Sequence, residues 1–213
     1  MRHSKSCWKL CCWLWCIPLF GAGFSSQEII QKVEQTLSGQ KTVKAQFEEL
    51  YIWKITGEQQ TIKGDFTLCG ESQFRITTDD QIIVSDGKTL WTYSKPTNRV
   101  IVDKVENTEN DWLPQKLFLK TRKEYRNRLS GEETLRGRQY YVIEFNAEKD
   151  DLYVTQIKVW IDKETWIPHK IEQTDISRNR TIYTLNNVQT GQPIENKSFE
   201  FQIPEGAEII DLQ

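Results

Sequence analysis

From Val43 onward the chain alternates. Val43, Ala45, Phe47, Glu49, Tyr51, Trp53 and Ile55 occupy the odd positions, with Lys44, Gln46, Glu48 and Lys54 between them. A period of two belongs to a strand with one face turned from water. Composition extends the argument: residues 25–213 hold 20 Ile, 10 Val and 19 Thr against 3 Ala and 12 Leu. Branched Cβ atoms restrict χ1 and favour extended backbone, so the chain is mainly β. Asp86-Gly87, between Gln81–Ser85 and Thr89–Tyr93, is a strong short hairpin signal. Further strands are expected at about 59–68, 73–79, 99–105, 122–130, 138–146, 152–162, 167–176, 179–189 and 198–203. Tyr141, Ile143 and Phe145 fall on one face, as do Tyr153, Ile157, Val159 and Ile161. Roughly eleven strands joined by short turns predict an antiparallel meander that curls, either into a full barrel or into a half-barrel closed by helices.

Two short amphipathic helices are expected. Ser25-Ser26-Gln27-Glu28 has the spacing of a capping box, in which a serine and a glutamate three residues later satisfy orphan backbone N–H groups reciprocally. Ile29, Ile30, Val33 and Leu37 supply its apolar face and Gly39 ends it. The second helix is expected from about Asp111 to Lys120, with Trp112, Leu113, Leu117 and Phe118 apolar and Pro114 in the first turn.

The first 24 residues differ from the rest. Arg2, Lys5 and Lys9 precede the apolar run Leu10–Phe20, and Gly21-Ala22-Gly23 supplies small residues for cleavage, the pattern of a secretory signal peptide. No cysteine there follows the small residues that lipidation requires, so a free mature protein is expected. Its removal takes the net charge from −2 to −5 and leaves Cys69 as the one cysteine. A single cysteine forms no internal disulfide, so the core of one domain, 25–213, must hold the fold. With pI near 5.8 there is no bulk basic field for nucleic acid, and no later stretch approaches the ~18 apolar residues of a membrane span.

Catalytic constellations are sparse. Beyond the leader there is one histidine, His169, and one cysteine, so neither a Cys/His metal cluster nor a histidine-based nucleophile can be assembled. His169 could serve as one catalytic base, but it sits on the polar alternation of Ile167–Ile171 and is expected to be solvated. Glu132-Glu133 and Asp150-Asp151 are expected to face water in turns, and Arg122, Lys123, Arg126 and Arg128 to form a solvated face. Large apolar surface is plentiful: 5 Trp, 7 Tyr and 7 Phe remain after the leader. A strongly curved sheet has a concave face that two short helices cover only in part, which leaves room for a cavity.

The run Ile83-Val84-Ser85-Asp86-Gly87-Lys88-Thr89-Leu90-Trp91-Thr92-Tyr93, preceded by Phe74-Arg75-Ile76 and followed by Phe199–Asp211, resembles the LolA family of periplasmic outer-membrane lipoprotein carriers. The first helix, Val43-x-Ala45-x-Phe47 and Gly64-Asp65-Phe66 fit the same family. The resemblance implies an incomplete antiparallel β-barrel lidded by helices, whose cavity takes the acyl chains of lipoproteins. It further implies a monomer that receives cargo from an inner-membrane ABC transporter and passes it to an outer-membrane receptor, without cofactor, metal or catalysis. On that reading Phe47, Tyr51, Phe74, Trp91 and Tyr93 line the concave sheet, and Ile29, Val33, Trp112, Leu113 and Phe118 form the underside of the lid. Gly70 stands where an arginine that helps to hold the family's lid aligns, and Ile76 replaces a tryptophan. The alternatives on the same fold are a lipid- or lipoprotein-sensing module and an enzyme acting on a hydrophobic small molecule.

Overall fold

The computed structural model describes residues 23–39, 42–70, 72–107 and 124–213. The expected leader, apart from its last two residues, and the expected second helix with Trp112, Leu113 and Phe118 lie outside them. Helix α1, Ser26–Gly39, is followed by twelve strands. The first six are β1 (Thr42–Ile52), β2 (Gln59–Cys69), β3 (Gln73–Thr78), β4 (Gln81–Asp86), β5 (Thr89–Ser94) and β6 (Arg99–Lys104). After them come β7 (Tyr125–Leu135), β8 (Arg138–Ala147), β9 (Val154–Asp162), β10 (Pro168–Asp175), β11 (Arg180–Thr190) and β12 (Glu208–Asp211).

All twelve belong to one sheet, in the order β12-β6-β5-β4-β3-β2-β1-β11-β10-β9-β8-β7. The chain therefore makes two antiparallel meanders, β1–β6 and β7–β11, joined where β11 pairs antiparallel with β1. Among the described residues β12 and β7 end the sheet without pairing to each other, so it is a half-barrel that does not close. Two-residue turns fix the register locally. At Asp86-Gly87 the Asp86 carboxylate accepts the N–H groups of Lys88 and Thr89, both at 2.8 Å, and Gly87 takes φ +101°, a conformation that glycine adopts without penalty.

α1 begins as its sequence predicts. The Glu28 carboxylate accepts the Ser25 N–H and hydroxyl, both at 2.8 Å, while Glu28 N–H donates to Ser25 Oγ at 3.2 Å. The apolar face then packs on the sheet: Ile29, Ile30, Val33 and Leu37 form one core cluster with Ile143, Phe145, Ile157, Val159 and Ile161. The Ser26 hydroxyl donates to Asn127 Oδ1 at 2.8 Å, pinning the helix start to β7. A second core, of Val43, Phe66, Leu68, Phe74, Ile76, Leu90 and Val105, lies on the same face over the first meander.

Three expectations require correction. Residues 198–203 are not a strand: Asn196–Phe199 is a 3-10 turn that drives Phe199, 2% exposed, against the other face of the sheet. Pro204 and Gly206 then turn the chain, and the twelfth strand is Glu208–Asp211, which pairs parallel with β6. Tyr153 precedes β9 and is exposed, because the Ile176 N–H takes its carbonyl at 2.9 Å in a turn, off the Ile157–Ile161 face. Glu132 and Glu133 lie within β7, which runs farther than expected. Glu132 pairs with Lys163 at 2.5 Å, and Glu133 accepts the Trp160 indole N–H at 2.8 Å.

Candidate functional site

The first meander and the second meet at the β1–β11 seam, and the inner face there is not filled by the described residues. A cavity of about 440 Å³ opens between β1–β4 and β10–β11. Its apolar floor is Phe47, Ile62, Phe66, Ile76, Ile83, Ile171 and Leu185. Ile171 and Tyr183 belong both to this lining and to the surroundings of the α1 core, so helix and cavity share the inner face. α1 covers the β7–β10 part, and the cavity occupies the part that it leaves open.

Strand register explains the lining. Across β2, β1 and β11, Gly64, Phe47 and Leu185 align; one step along come Ile62, Glu49 and Tyr183, with Ile171 beyond. The Phe47 ring has its place because Gly64 has no side chain. A Cβ there would stand 2.8 Å from Phe47 Cε1 and 2.3 Å from the Thr77 carbonyl oxygen. Glu49 interrupts the apolar set. Burial pushes its carboxyl above the ordinary carboxylate value, and the Tyr183 hydroxyl opposite offsets only part of that. The Tyr183 hydroxyl is held strongly toward its protonated form, first by its own burial and then by the Glu49 charge.

The expected site residues are distributed over several places. Phe47 lines the cavity. Tyr51 lines an adjoining recess with Trp53, Gln60 and Ile62, its ring edge-on to Trp53 at 4.5 Å. Phe74 faces the same side but is 0% exposed within the second core, so it is packed among neighbours rather than presented to the cavity. Trp91 and Tyr93 are on the outer face, which corrects the expectation that they line the concave sheet. The register sets Phe74 opposite Ser85 and Ser85 opposite Leu90, leaving Trp91 across from Val84 on the other side. There Phe201 covers both rings, with centroids 6.2 Å from each. Arg75 also points outward and donates to the Ser198 carbonyl at 3.3 Å. Ile29 and Val33 are buried beneath α1, against the second meander.

His169 departs from its expected solvated state. A bulge between Pro168 and Lys170 sets it at the cavity margin, half-buried, with its ring stacked on Tyr140 at 5.3 Å. Burial lowers its pKa and a hydrogen bond to the Leu185 backbone opposes the shift. Of the expected basic face, Arg122 and Lys123 lie outside the described residues, while Arg128 pairs with Glu144 at 3.0 Å and Arg126 with Glu148 at 3.5 Å. Among the described residues, no group of three or more His, Cys, Asp or Glu side chains is placed to hold a metal ion, and no helix is long and apolar enough to cross a membrane. Sequence reasoning passed over Ile62, Ile171, Tyr183 and Leu185. The signal that could have found them was Glu49, an acid in the apolar register of β1.

An apolar floor of this kind can hold a hydrocarbon group away from water, at about 0.8 kcal/mol per methylene. Comparison with known proteins agrees in fold and extends to family. The uncharacterised protein MJ0687 of Methanocaldococcus jannaschii is 27% identical over 91% of this chain, which spans 57% of that protein's length. An outer-membrane lipoprotein carrier protein of Francisella tularensis is 28% identical over 88% of each chain. The crystal structure of an uncharacterised conserved protein from Thermus thermophilus superposes with a TM-score of 0.60 at 13% identity, over 87% of this chain and 98% of that one, a likeness of fold alone. Residues 38–202, from the end of α1 to just beyond Phe201, match the family described as outer membrane lipoprotein carrier protein LolA. Strands β1–β11 and the seam cavity thus lie within the matched span, α1 and β12 lie largely or wholly outside it, and this chain belongs to the LolA family.

Proposed function

We propose that this protein is a periplasmic carrier, exported by its leader, that shelters the acyl chains of lipoproteins in the seam cavity. It receives them from an inner-membrane ABC transporter and delivers them to an outer-membrane receptor, with no catalytic step and no cofactor. The observation that carries this reading is the apolar cavity of about 440 Å³ on the inner face of an unclosed sheet. Membership of the LolA family and likeness to named lipoprotein carriers support it.

The energetics set what such a carrier must do. A sixteen-carbon chain in water is disfavoured by about 12 kcal/mol, so no acylated protein crosses an aqueous space unaided. At ~30 Å³ for a group the size of water or methylene, the cavity has room for on the order of 15 such groups, which is one acyl chain. Cargo with two or three chains requires widening. α1 is the movable piece on this reading, since it rests on the second meander through one apolar face. On this reading Phe47 contacts the tail and Tyr51 the entrance. Phe74 supports the floor from within the core, and Trp91 and Tyr93 hold the C-terminal segment.

The test is to incubate the mature protein with lipoprotein-loaded spheroplasts and analyse the supernatant by native mass spectrometry. Release of a one-to-one complex is the expected result. A protein that stays empty there yet binds free fatty acid would move the function to lipid binding or sensing.

A further inference from the structure

Glu49 is the feature that an ordinary hydrocarbon pocket does not explain. Along the seam the inner-face residues form layers set by register. Phe47 and Leu185 are innermost, Glu49 and Tyr183 come next, and Tyr51 and Thr181 follow, with Gln60 and Gln173 beside that last pair. Along β1 and β11 the inner face thus passes from apolar at Phe47 and Leu185 to polar at Glu49, Tyr183 and Thr181, as an amphiphile does, while Lys63, Thr78, Asp79 and Asp80 line the β2–β4 side. At the boundary stands a carboxylate that has no cation within ion-pair distance among the described residues. Lys63, one residue beyond Ile62 on the neighbouring strand, is engaged by Glu48 at 3.0 Å. A carboxylate in such a place is costly unless something donates to it. The Tyr183 hydroxyl alone leaves its carboxyl still shifted upward by burial.

Resting on the acyl-chain reading above, we propose that the cavity takes a ligand with an N–H-bearing head beside its hydrocarbon tail, the tail against Phe47 and Leu185 and the head donating to Glu49. Lipid-modified peptides are such a class, because their amine or amide N–H groups lie next to the acyl chains. Free fatty acids are the opposite class: they bring a second negative charge to Glu49. The site thus discriminates by charge and donor as well as by length, and Tyr183 positions the carboxylate that does so.

The experiment is displacement of N-phenyl-1-naphthylamine from the mature protein by dodecylamine, dodecanol and dodecanoate, all below their micellar concentrations. The expected order is amine tightest, alcohol intermediate and carboxylate weakest, with amine and carboxylate apart by on the order of tenfold or more, as for a charge-assisted hydrogen bond. Glu49→Gln is expected to collapse the amine advantage while leaving dodecanol within about twofold. Glu49→Asp keeps the charge and is expected to keep the order; melting curves of both variants establish that they are folded. Equal affinity for the three compounds in the natural protein, or an order unchanged in Glu49→Gln, overturns the head-group proposal and leaves the acyl reading standing. If none of the three displaces the probe, the acyl reading falls and this proposal with it.

Discussion

Phe47 on β1 and Phe74 on β3 lie on the same face of the sheet, two strands apart, yet the structure gives them different work, and exchanging each for alanine separates the two. Phe74 is 0% exposed and belongs to a core with Val43, Phe66, Leu68, Ile76, Leu90 and Val105. Deleting a buried ring costs about 3–5 kcal/mol, since the lost transfer energy adds to that of the cavity left behind. In a domain of this size that lowers Tm by about 6–20 °C. Phe47 is half-buried, and its ring bounds existing empty space on one side. Removing ~40 Å² of ligand-contacting ring at ~25 cal/mol per Å² costs about 1 kcal/mol of affinity, roughly fivefold. The assay pairs thermal unfolding with displacement of a bound dodecyl ligand. Phe74→Ala is expected to lose stability and keep its affinity once folded at low temperature; Phe47→Ala is expected to do the reverse. Phe74→Leu, at about 1–2 kcal/mol, serves if the alanine variant does not fold. A Phe74 variant with unchanged Tm and abolished binding would refute the placement of the second core, and with it the division of the inner face into floor and packing.

Other consequences are as direct. Gly64→Ala places a Cβ 2.3 Å from the Thr77 carbonyl and 2.8 Å from the Phe47 ring, so it should destabilise by about 1–3 kcal/mol and weaken ligand binding as Phe47 swings into the cavity; urea unfolding and probe displacement measure both. Phe24 packs edge-on to Trp166 at 5.4 Å and to Tyr141 at 6.0 Å, with the Lys32 ammonium 5.2 Å from its ring. Signal cleavage is therefore expected to leave Phe24 on the mature chain, which N-terminal mass analysis decides, and Phe24→Ala should cost about 1 kcal/mol. At Asp175, burial raises the carboxyl pKa, but hydrogen bonds from Asn179, Tyr153 and Ser177 outweigh it and hold the carboxyl below its ordinary value of 3.8. Its contribution is accordingly complete above about pH 4–5 and is lost as pH falls through 3.8 toward the depressed value. Acid unfolding should become less steep in Asp175→Asn, whose stability loss at neutral pH should be about 1–3 kcal/mol. An identical acid profile in that variant would show that the β10–β11 turn does not depend on the charge.

What the sequence revealed and what it concealed have a common cause. Period two marks strands, and the Asp86-Gly87 and capping-box signals work because their polar atoms act within three residues of each other. Parity, however, assigns residues to one of two faces without saying which face is concave. Over β3–β6 both faces are apolar, with Ile76, Ile83 and Leu90 inside and Val84, Trp91, Val100 and Val102 outside. The outer set is apolar because the C-terminal segment lies on it through Phe199 and Phe201, a contact between residues more than a hundred positions apart. Trp91 and Tyr93 were misassigned for that reason. The same distance hid the cavity: about a third of its lining comes from β10 and β11, and only the β1–β11 register brings Tyr183 opposite Glu49. Glu49 itself was visible as an acid among apolar odd positions, but its significance needs the second meander.

The seam has a bearing on how the chain reaches this form. Its two central strands are nearly the first and the last to be made: Asn187 donates to Gln46 at 2.6 Å across a separation of 141 residues. Each meander can assemble from neighbouring hairpins, but joining them closes a very long loop, the slowest kind of contact to find. A chain of which only the first half has been delivered can thus build β1–β6 and yet present no ligand site, since the seam waits for β11. Until that late docking step the apolar inner face of the first meander stands uncovered. The interval before docking is when that face is most open to self-association, and a slow final phase in refolding, shared by cavity formation and β1–β11 pairing, is the expected kinetic signature.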